Sequence, residues 1–202
     1  MKAPPSGAAA HAMLAPRPRR EWPKDFTPSA LRHAAGLLLL FPIDDHAHLV
    51  LTVRGDSLGR HGGQVSLPGG VIEPGESIEQ AALREAHEEV ALDPEGVRTL
   101  GRLAPLDIPV SGFRLHPVVA SIDSRPPLHP ADGEVARILE LPVEAFLDPA
   151  SFGQRTLVRD GRAIDVPAFL VGGVEIWGAT AMALAEFLTL LGWPGPYTCR
   201  SA

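Results

Sequence analysis

Gly70-Val71-Ile72-Glu73-Pro74-Gly75-Glu76, followed by Leu83-Arg84-Glu85-Ala86-His87-Glu88-Glu89-Val90-Ala91-Leu92, sets the reading of the whole chain. Between these runs, Ser77-Ile78-Glu79-Gln80 has the pattern of a capping box, which opens a helix running to about Ala91, and Pro94 ends it. Residues advance about 100° each along an α-helix, so Glu85, Glu88 and Glu89 share an arc of roughly 100°. Ala82, Ala86 and Val90 form a neighbouring apolar stripe that can pack on a sheet. Like charges at i,i+3 and i,i+4 destabilise a helix by a few tenths of a kcal/mol each. Within the cluster only Arg84, four residues before Glu88, offers compensation. Hard oxygen donors crowded in this way suit Mg²⁺ or Mn²⁺. Taken alone, three glutamates fit a solvated acidic face equally well. The Gly69-Gly70 turn decides for a metal site, because a backbone without side chains lets metal and phosphate approach closely.

Outward from this segment, Leu37–Pro42 and His48–Arg54 are apolar runs separated by Asp44-Asp45, the pattern of a strand hairpin. Gly55, Gly59, Gly62, Gly63, Gly69 and Gly70 mark a long loop over 55–70. Thr27-Pro28 ahead of Ser29-Ala30-Leu31-Arg32-His33 predicts a short helix. Further strands are expected at Arg98–Leu103, Arg114–Ile122, Ala136–Pro142, Arg155–Val158 and Ile164–Val171. A second long helix is expected at Ala179–Leu191, ended by Gly192-Trp193-Pro194. Mixed strands with two substantial helices give an α/β class, an α/β/α layered domain. Residues 1–26, rich in Ala, Pro and Arg without periodicity, read as a flexible arm; 27–196 form the domain and 197–202 a C-terminal tail.

The 202 residues suit one domain, and 45% hydrophobic with 21% charged residues is ordinary for a soluble globular protein. A formal net charge of −6 argues against sequence-independent binding to nucleic acid or anionic membrane, so an anionic substrate needs a local countercharge. The single cysteine, Cys199, cannot form an internal disulfide, which points to a reducing compartment, the cytoplasm. The longest apolar run, Gly36–Phe41, falls far short of the roughly 20 residues of a membrane span. Partners are therefore expected to be small molecules, with no nucleic acid and no membrane, in a monomer or homodimer.

The run Gly70-x5-Glu76-x7-Arg84-Glu85-Ala86-x-Glu88-Glu89-x-Ala91-Leu92 resembles the Nudix box, the signature of hydrolases that cleave a nucleoside diphosphate linked to another moiety. The resemblance implies a Nudix-type α/β/α sandwich with a mixed sheet. It also implies Mg²⁺ or Mn²⁺ held by Glu85, Glu88 and Glu89 beside Gly70, and a supporting salt bridge between Glu76 and Arg84. Ala91 departs from the box, which usually has glycine there.

Upstream, Leu51-Thr52-Val53-Arg54, then Arg60 and Gly63-Gln64-Val65-Ser66-Leu67-Pro68-Gly69-Gly70, resemble the accessory motif of the coenzyme A diphosphatase branch. Gly55 and Leu67 depart from it, standing where serine or alanine, and phenylalanine, are favoured. Arg54 and Arg60 are candidate phosphate contacts, since a guanidinium binds phosphate oxygens in a bidentate manner; a surface salt bridge is the structural alternative for each. Gln64 is a candidate substrate contact or a turn-stabilising residue. A catalytic carboxylate, Glu85, Glu89 or Glu134, is expected to take a proton from the attacking water. The implied substrate is coenzyme A, with 3′,5′-ADP and 4′-phosphopantetheine as products. The alternatives are another nucleoside diphosphate derivative (ADP-ribose, a dinucleotide or a nucleoside triphosphate) or a non-catalytic Nudix-fold binding module.

Overall fold

A computed structural model describes residues 7–19, 21–55, 63–131, 133–159 and 161–196. The chain divides into two compact units. One is Glu21–Val143; the other joins the described parts of Met1–Arg20 and Glu144–Ala202.

The first unit is built on an eight-stranded mixed sheet. β1 (Arg32–Ile43) is its axis, with Leu37, Leu38 and Leu39 fully buried, so both faces of this strand are covered. It pairs antiparallel with β2 (His46–Arg54) through a turn in which Asp44 and Asp45 both have positive φ. That is the backbone a two-residue hairpin requires, and Asp tolerates it better than most residues. β3 (Val65–Ser66) pairs with β2, and β4 (Gly69–Val71) pairs antiparallel with β1. These two short strands lie within the stretch read from its glycines as a long loop. Residues 56–62 of that stretch lie outside the described residues. β5 (Arg98–Arg102) and β6 (Leu106–Ile108) pair with β7 (Phe113–Ser121), which runs parallel to β1; β8 (Val135–Pro142) pairs with β2. The α/β class with a mixed sheet is therefore present. The short helix expected at 29–33 is only a 3-10 turn, Pro28–Ala30, because Arg32 and the residues after it are taken up by pairing with β7.

The long helix of this unit is α2 (Ile78–Val90), capped as its sequence predicts: the Ser77 hydroxyl accepts from the Gln80 amide, and the Gln80 side chain accepts from the Ser77 amide. Ala81, Ala82, Ala86 and Val90 are buried against Ala35, Leu37, Leu39, Phe41, Val118 and Ala120. Small alanines let the helix axis approach the sheet closely while its other side remains polar.

The second unit contains α1 (Gly7–Leu14), β9 (Phe152–Arg159), β10 (Arg162–Val171), β11 (Val174–Trp177) and α3 (Gly178–Leu190), with the strands in the order β11-β10-β9. Residues 7–14, within the stretch read as an arm, form the helix α1. Ala10 and Leu14 are fully buried, and the His11 Nε2–H donates to the Glu186 carboxylate at 2.6 Å. Beyond α1, Arg17 and Asp165 exchange backbone hydrogen bonds of 2.8 and 2.9 Å. Gly7-Ala-Ala-Ala-His-Ala-Met-Leu14 is a good helix former, but it is apolar almost all round, so it carries no amphipathic stripe to betray it. Among the described residues no helix is long and apolar enough to cross a membrane.

Candidate active site

The geometry around α2 starts at the glycine turn. A Cβ on Gly69 would run into the Ala35 carbonyl, and one on Gly70 would occupy the space of the Glu85 carboxylate. Glycine is therefore required at 69 by close approach to a strand, while at 70 a side chain would displace the Glu85 carboxylate. The Gly69 amide also donates to Glu89 Oε2 at 3.1 Å, so the turn touches two of the three carboxylates.

Arg84 organises the rest. Its Nε and Nη2 donate to the two oxygens of Glu76 at 2.7 and 3.1 Å, a bidentate ion pair that joins the loop to the helix. Nη1 donates to Glu85 Oε1 at 3.0 Å and to Glu88 Oε2 at 2.9 Å, and Nη2 also reaches the Val71 carbonyl at 2.9 Å. One planar guanidinium thus fixes three carboxylates and β4, which an ammonium point charge could not do. The bond to Arg84 holds the Glu76 carboxyl below its usual range. Burial pushes the Glu85 carboxyl up, and Arg84 offsets this only in part. Glu85 is the inward member of the set, 17% exposed, whereas Glu88 is 52% exposed.

These contacts engage all three acids in bonds to the protein itself. Among the described residues no three His, Cys, Asp or Glu side chains form a group that could hold a metal ion as they stand. Glu85 and Glu88 face the guanidinium, and Glu89 faces the Gly69 amide.

Arg54 and Glu134 meet each other: Arg54 Nη2 donates to Glu134 Oε2 at 2.9 Å, with the two side chains 42% and 47% exposed. The Gly55 amide donates to the Glu134 carbonyl at 2.8 Å, and the Gln64 carbonyl accepts from the Arg54 amide at 3.0 Å. The segment leading to Glu134 is tied to α2, since the Ala131 amide donates to the Glu89 carbonyl at 3.1 Å. Arg60 lies outside the described residues. A pair that the sequence reading did not connect stands nearby: His33 Nδ1 and His116 Nε2 are 2.9 Å apart. The two histidines are 83 positions apart, and only the parallel pairing of β1 with β7 brings them together.

The profile of the NUDIX domain matches residues 31–161, and the chain belongs to the Nudix family, hydrolases of nucleoside diphosphate derivatives. The uncharacterized Nudix hydrolase NudL of Cronobacter sakazakii is 37% identical over 145 residues, 71% of this chain and 75% of that protein. The NudL of Pectobacterium atrosepticum is 48% identical over 112 residues, 54% of this chain and 58% of its own. Among solved structures, the Nudix hydrolase RenU of M. smegmatis superposes with a TM-score of 0.58 at 21% identity, over 83% of this chain and 91% of that one.

Proposed function

We propose that this protein is a metal-dependent diphosphatase of coenzyme A and its derivatives, acting in the cytoplasm. The observation that supports the proposal is the approach of Gly69 to Glu89 and of Gly70 to Glu85, next in sequence to the paired strands that bear the Leu51–Arg54 and Gln64–Gly70 motif. The donor set fits Mg²⁺ or Mn²⁺. Glu85, Glu88 and Glu89 offer hard carboxylate oxygens from successive turns, and Gly70 leaves the space at Glu85 that a methyl would fill. These four residues would hold the cation in the working enzyme. When bound, it supplies charge neutralisation at the diphosphate and lowers the pKa of water.

The chain's own residues do the rest. Arg84 keeps Glu85 and Glu88 in place from one side while anchoring the loop through Glu76. Arg54 and Arg60 supply guanidinium groups for the phosphate oxygens, and Gln64 a hydrogen-bonding amide. A water attacks one phosphorus, its proton passes to Glu85, Glu89 or Glu134, and the P–O–P bond breaks with the electron pair leaving on the second phosphate.

The test is incubation with Mg²⁺ or Mn²⁺ and coenzyme A, ADP-ribose, NADH and deoxynucleoside triphosphates, with the products identified by mass. The expected products are 3′,5′-ADP and 4′-phosphopantetheine, and Glu89→Gln is expected to lower turnover by about a hundredfold or more, ~2.7 kcal/mol of barrier. Preferential cleavage of ADP-ribose or of a triphosphate would overturn the substrate; full activity of Glu89→Gln would overturn the ligand assignment.

A further inference from the structure

Successive residues of a strand face opposite sides of the sheet. Ala35, Leu37 and Val118 turn toward α2, so Arg32 and Ala34 of β1 turn the other way. The register carries that second face across four strands. Ala34 lies between Val71 of β4 and Leu115 of β7, and Phe113 of β7 lies between Arg32 of β1 and Ile108 of β6. Ala34 is the small member of its row, and the surface sinks there into a hollow of about 220 Å³.

The walls of the hollow are Val71, Ile108, Phe113 and Leu115, and among the described residues that line it Ser111 alone brings a polar side chain. Val71 is 42% exposed, and Val110, in the turn beside Ser111, is 44% exposed, so apolar surface is left to water here. The Arg32 guanidinium lies over the Phe113 ring, 4.0 Å from its centroid, and among the described residues no carboxylate pairs with it. An aromatic ring and a guanidinium are both flat groups on which a heteroaromatic base stacks. The hollow also adjoins the acids. Gly70 lines it, and a Cβ on the same glycine would occupy the space of the Glu85 carboxylate. The Val71 carbonyl accepts from the Arg84 that fixes Glu85 and Glu88. A group seated in the hollow is therefore the immediate neighbour of a phosphate carried at Glu85.

We infer that this hollow binds the adenine base of the substrate, with Ala34, Val71 and Leu115 against the ring and the stacked Arg32–Phe113 pair beside it. The identity of the base rests on the coenzyme A reading above. A base suits the lining better than the amide-bearing pantetheine arm does. A flat ring buries apolar faces and keeps its polar edge toward Ser111 and water, whereas amides set against hydrocarbon lose hydrogen bonds to water and find no partners. Sites for drug-sized ligands start at about 300 Å³, so a smaller hollow takes one ring system and not the whole substrate.

The test titrates 5′-AMP, ribose 5-phosphate and 4′-phosphopantetheine, each with Mg²⁺, into the wild type, Ala34→Leu and Val71→Gln, and follows the backbone amides by NMR. The wild type is expected to bind 5′-AMP about tenfold more tightly than ribose 5-phosphate, which lacks the base, ~1.4 kcal/mol, with shifts at Val71, Ile108 and Leu115. Ala34→Leu fills the hollow and is expected to shrink that ratio below about threefold while ribose 5-phosphate binds as before. Val71→Gln, at an exposed side chain, gives the same readout should the larger residue at 34 disturb the sheet. Equal affinity for 5′-AMP and ribose 5-phosphate in the wild type, a ratio that survives in both variants, or a loss confined to 4′-phosphopantetheine overturns this inference. None of these results touches cleavage of coenzyme A by the wild type, whose failure overturns the diphosphatase reading and leaves the 5′-AMP ratio to decide whether a base binds here.

Discussion

Ala91 closes α2 in a left-handed conformation, φ 55° and ψ 31°, at the position where the Nudix box usually has glycine. Its amide still satisfies the last turn, donating to the His87 carbonyl at 3.0 Å, and the Leu92 amide reaches the Ala86 carbonyl at 3.3 Å. The backbone is therefore committed to this geometry, and the methyl group bears the cost. The left-handed region costs an L-residue roughly 1.5 kcal/mol, which glycine does not pay. Against this, Ala91→Gly raises the entropy of the unfolded chain, a loss of about 0.7 kcal/mol. It also gives up a half-buried methyl, about 0.3 kcal/mol. The balance is a stabilisation of about 0.5 kcal/mol, which is a rise in urea midpoint of about 0.25 M at an m-value near 2 kcal/mol/M. Equilibrium urea unfolding followed by circular dichroism measures it. The companion Ala91→Val adds a β-branch at positive φ and is expected to shift the midpoint the other way. A lower midpoint for Ala91→Gly, with unchanged m, would refute the claim that this cap is strained.

Two further outcomes follow from the same geometry. Gly70→Ala drives a methyl into the space of the Glu85 carboxylate, so Mn²⁺ affinity by calorimetry is expected to fall about tenfold or more, ~1.4 kcal/mol; unchanged affinity would separate Glu85 from the metal. Burial lowers the pKa of His11 from 6.5, even though its bond to Glu186 works in the opposite direction. Below its ordinary value the unfolded state binds the proton that the folded state refuses, so this contribution to stability is full above that value and is lost as pH falls through the depressed one. The thermal midpoint of the wild type is expected to drop more steeply than that of His11→Gln as pH falls below 6.5, and parallel curves would show that His11 is not the titrating group.

How far the sequence could be read depended on whether the controlling contact was local. The cap of α2, its apolar stripe and the cluster at 85–89 are set by residues within a few positions of one another, and each is visible as spacing. Ala81 marks the limit of such reading. On the helical wheel it falls among the glutamates, yet it is fully buried, because the sheet reaches further round the helix than the 82–86–90 stripe indicates. β3 and β4 were hidden because they are short and glycine-rich, and they exist only by pairing with β2 and β1. α1 was hidden for the opposite reason: it is uniformly apolar and acquires its partner, Glu186, from 175 residues away.

The site divides along the same line. Glu76 and Arg84 are eight residues apart across one loop, so a sequence pattern can specify their ion pair. Arg54 and Glu134 are 80 apart, and the sequence points each to a separate role, one toward phosphate and one toward a proton. Their mutual ion pair depends on the pairing of β2 with β8, whose register shifts between Val53 and Arg54. A strand irregularity at that point re-aims a side chain, and no local pattern announces it. The pair is half-exposed, and such a pair contributes about 0–1 kcal/mol. A diphosphate that offers Arg54 a bidentate partner therefore has little to overcome, and the ion pair is compatible with a substrate-binding role for the same guanidinium.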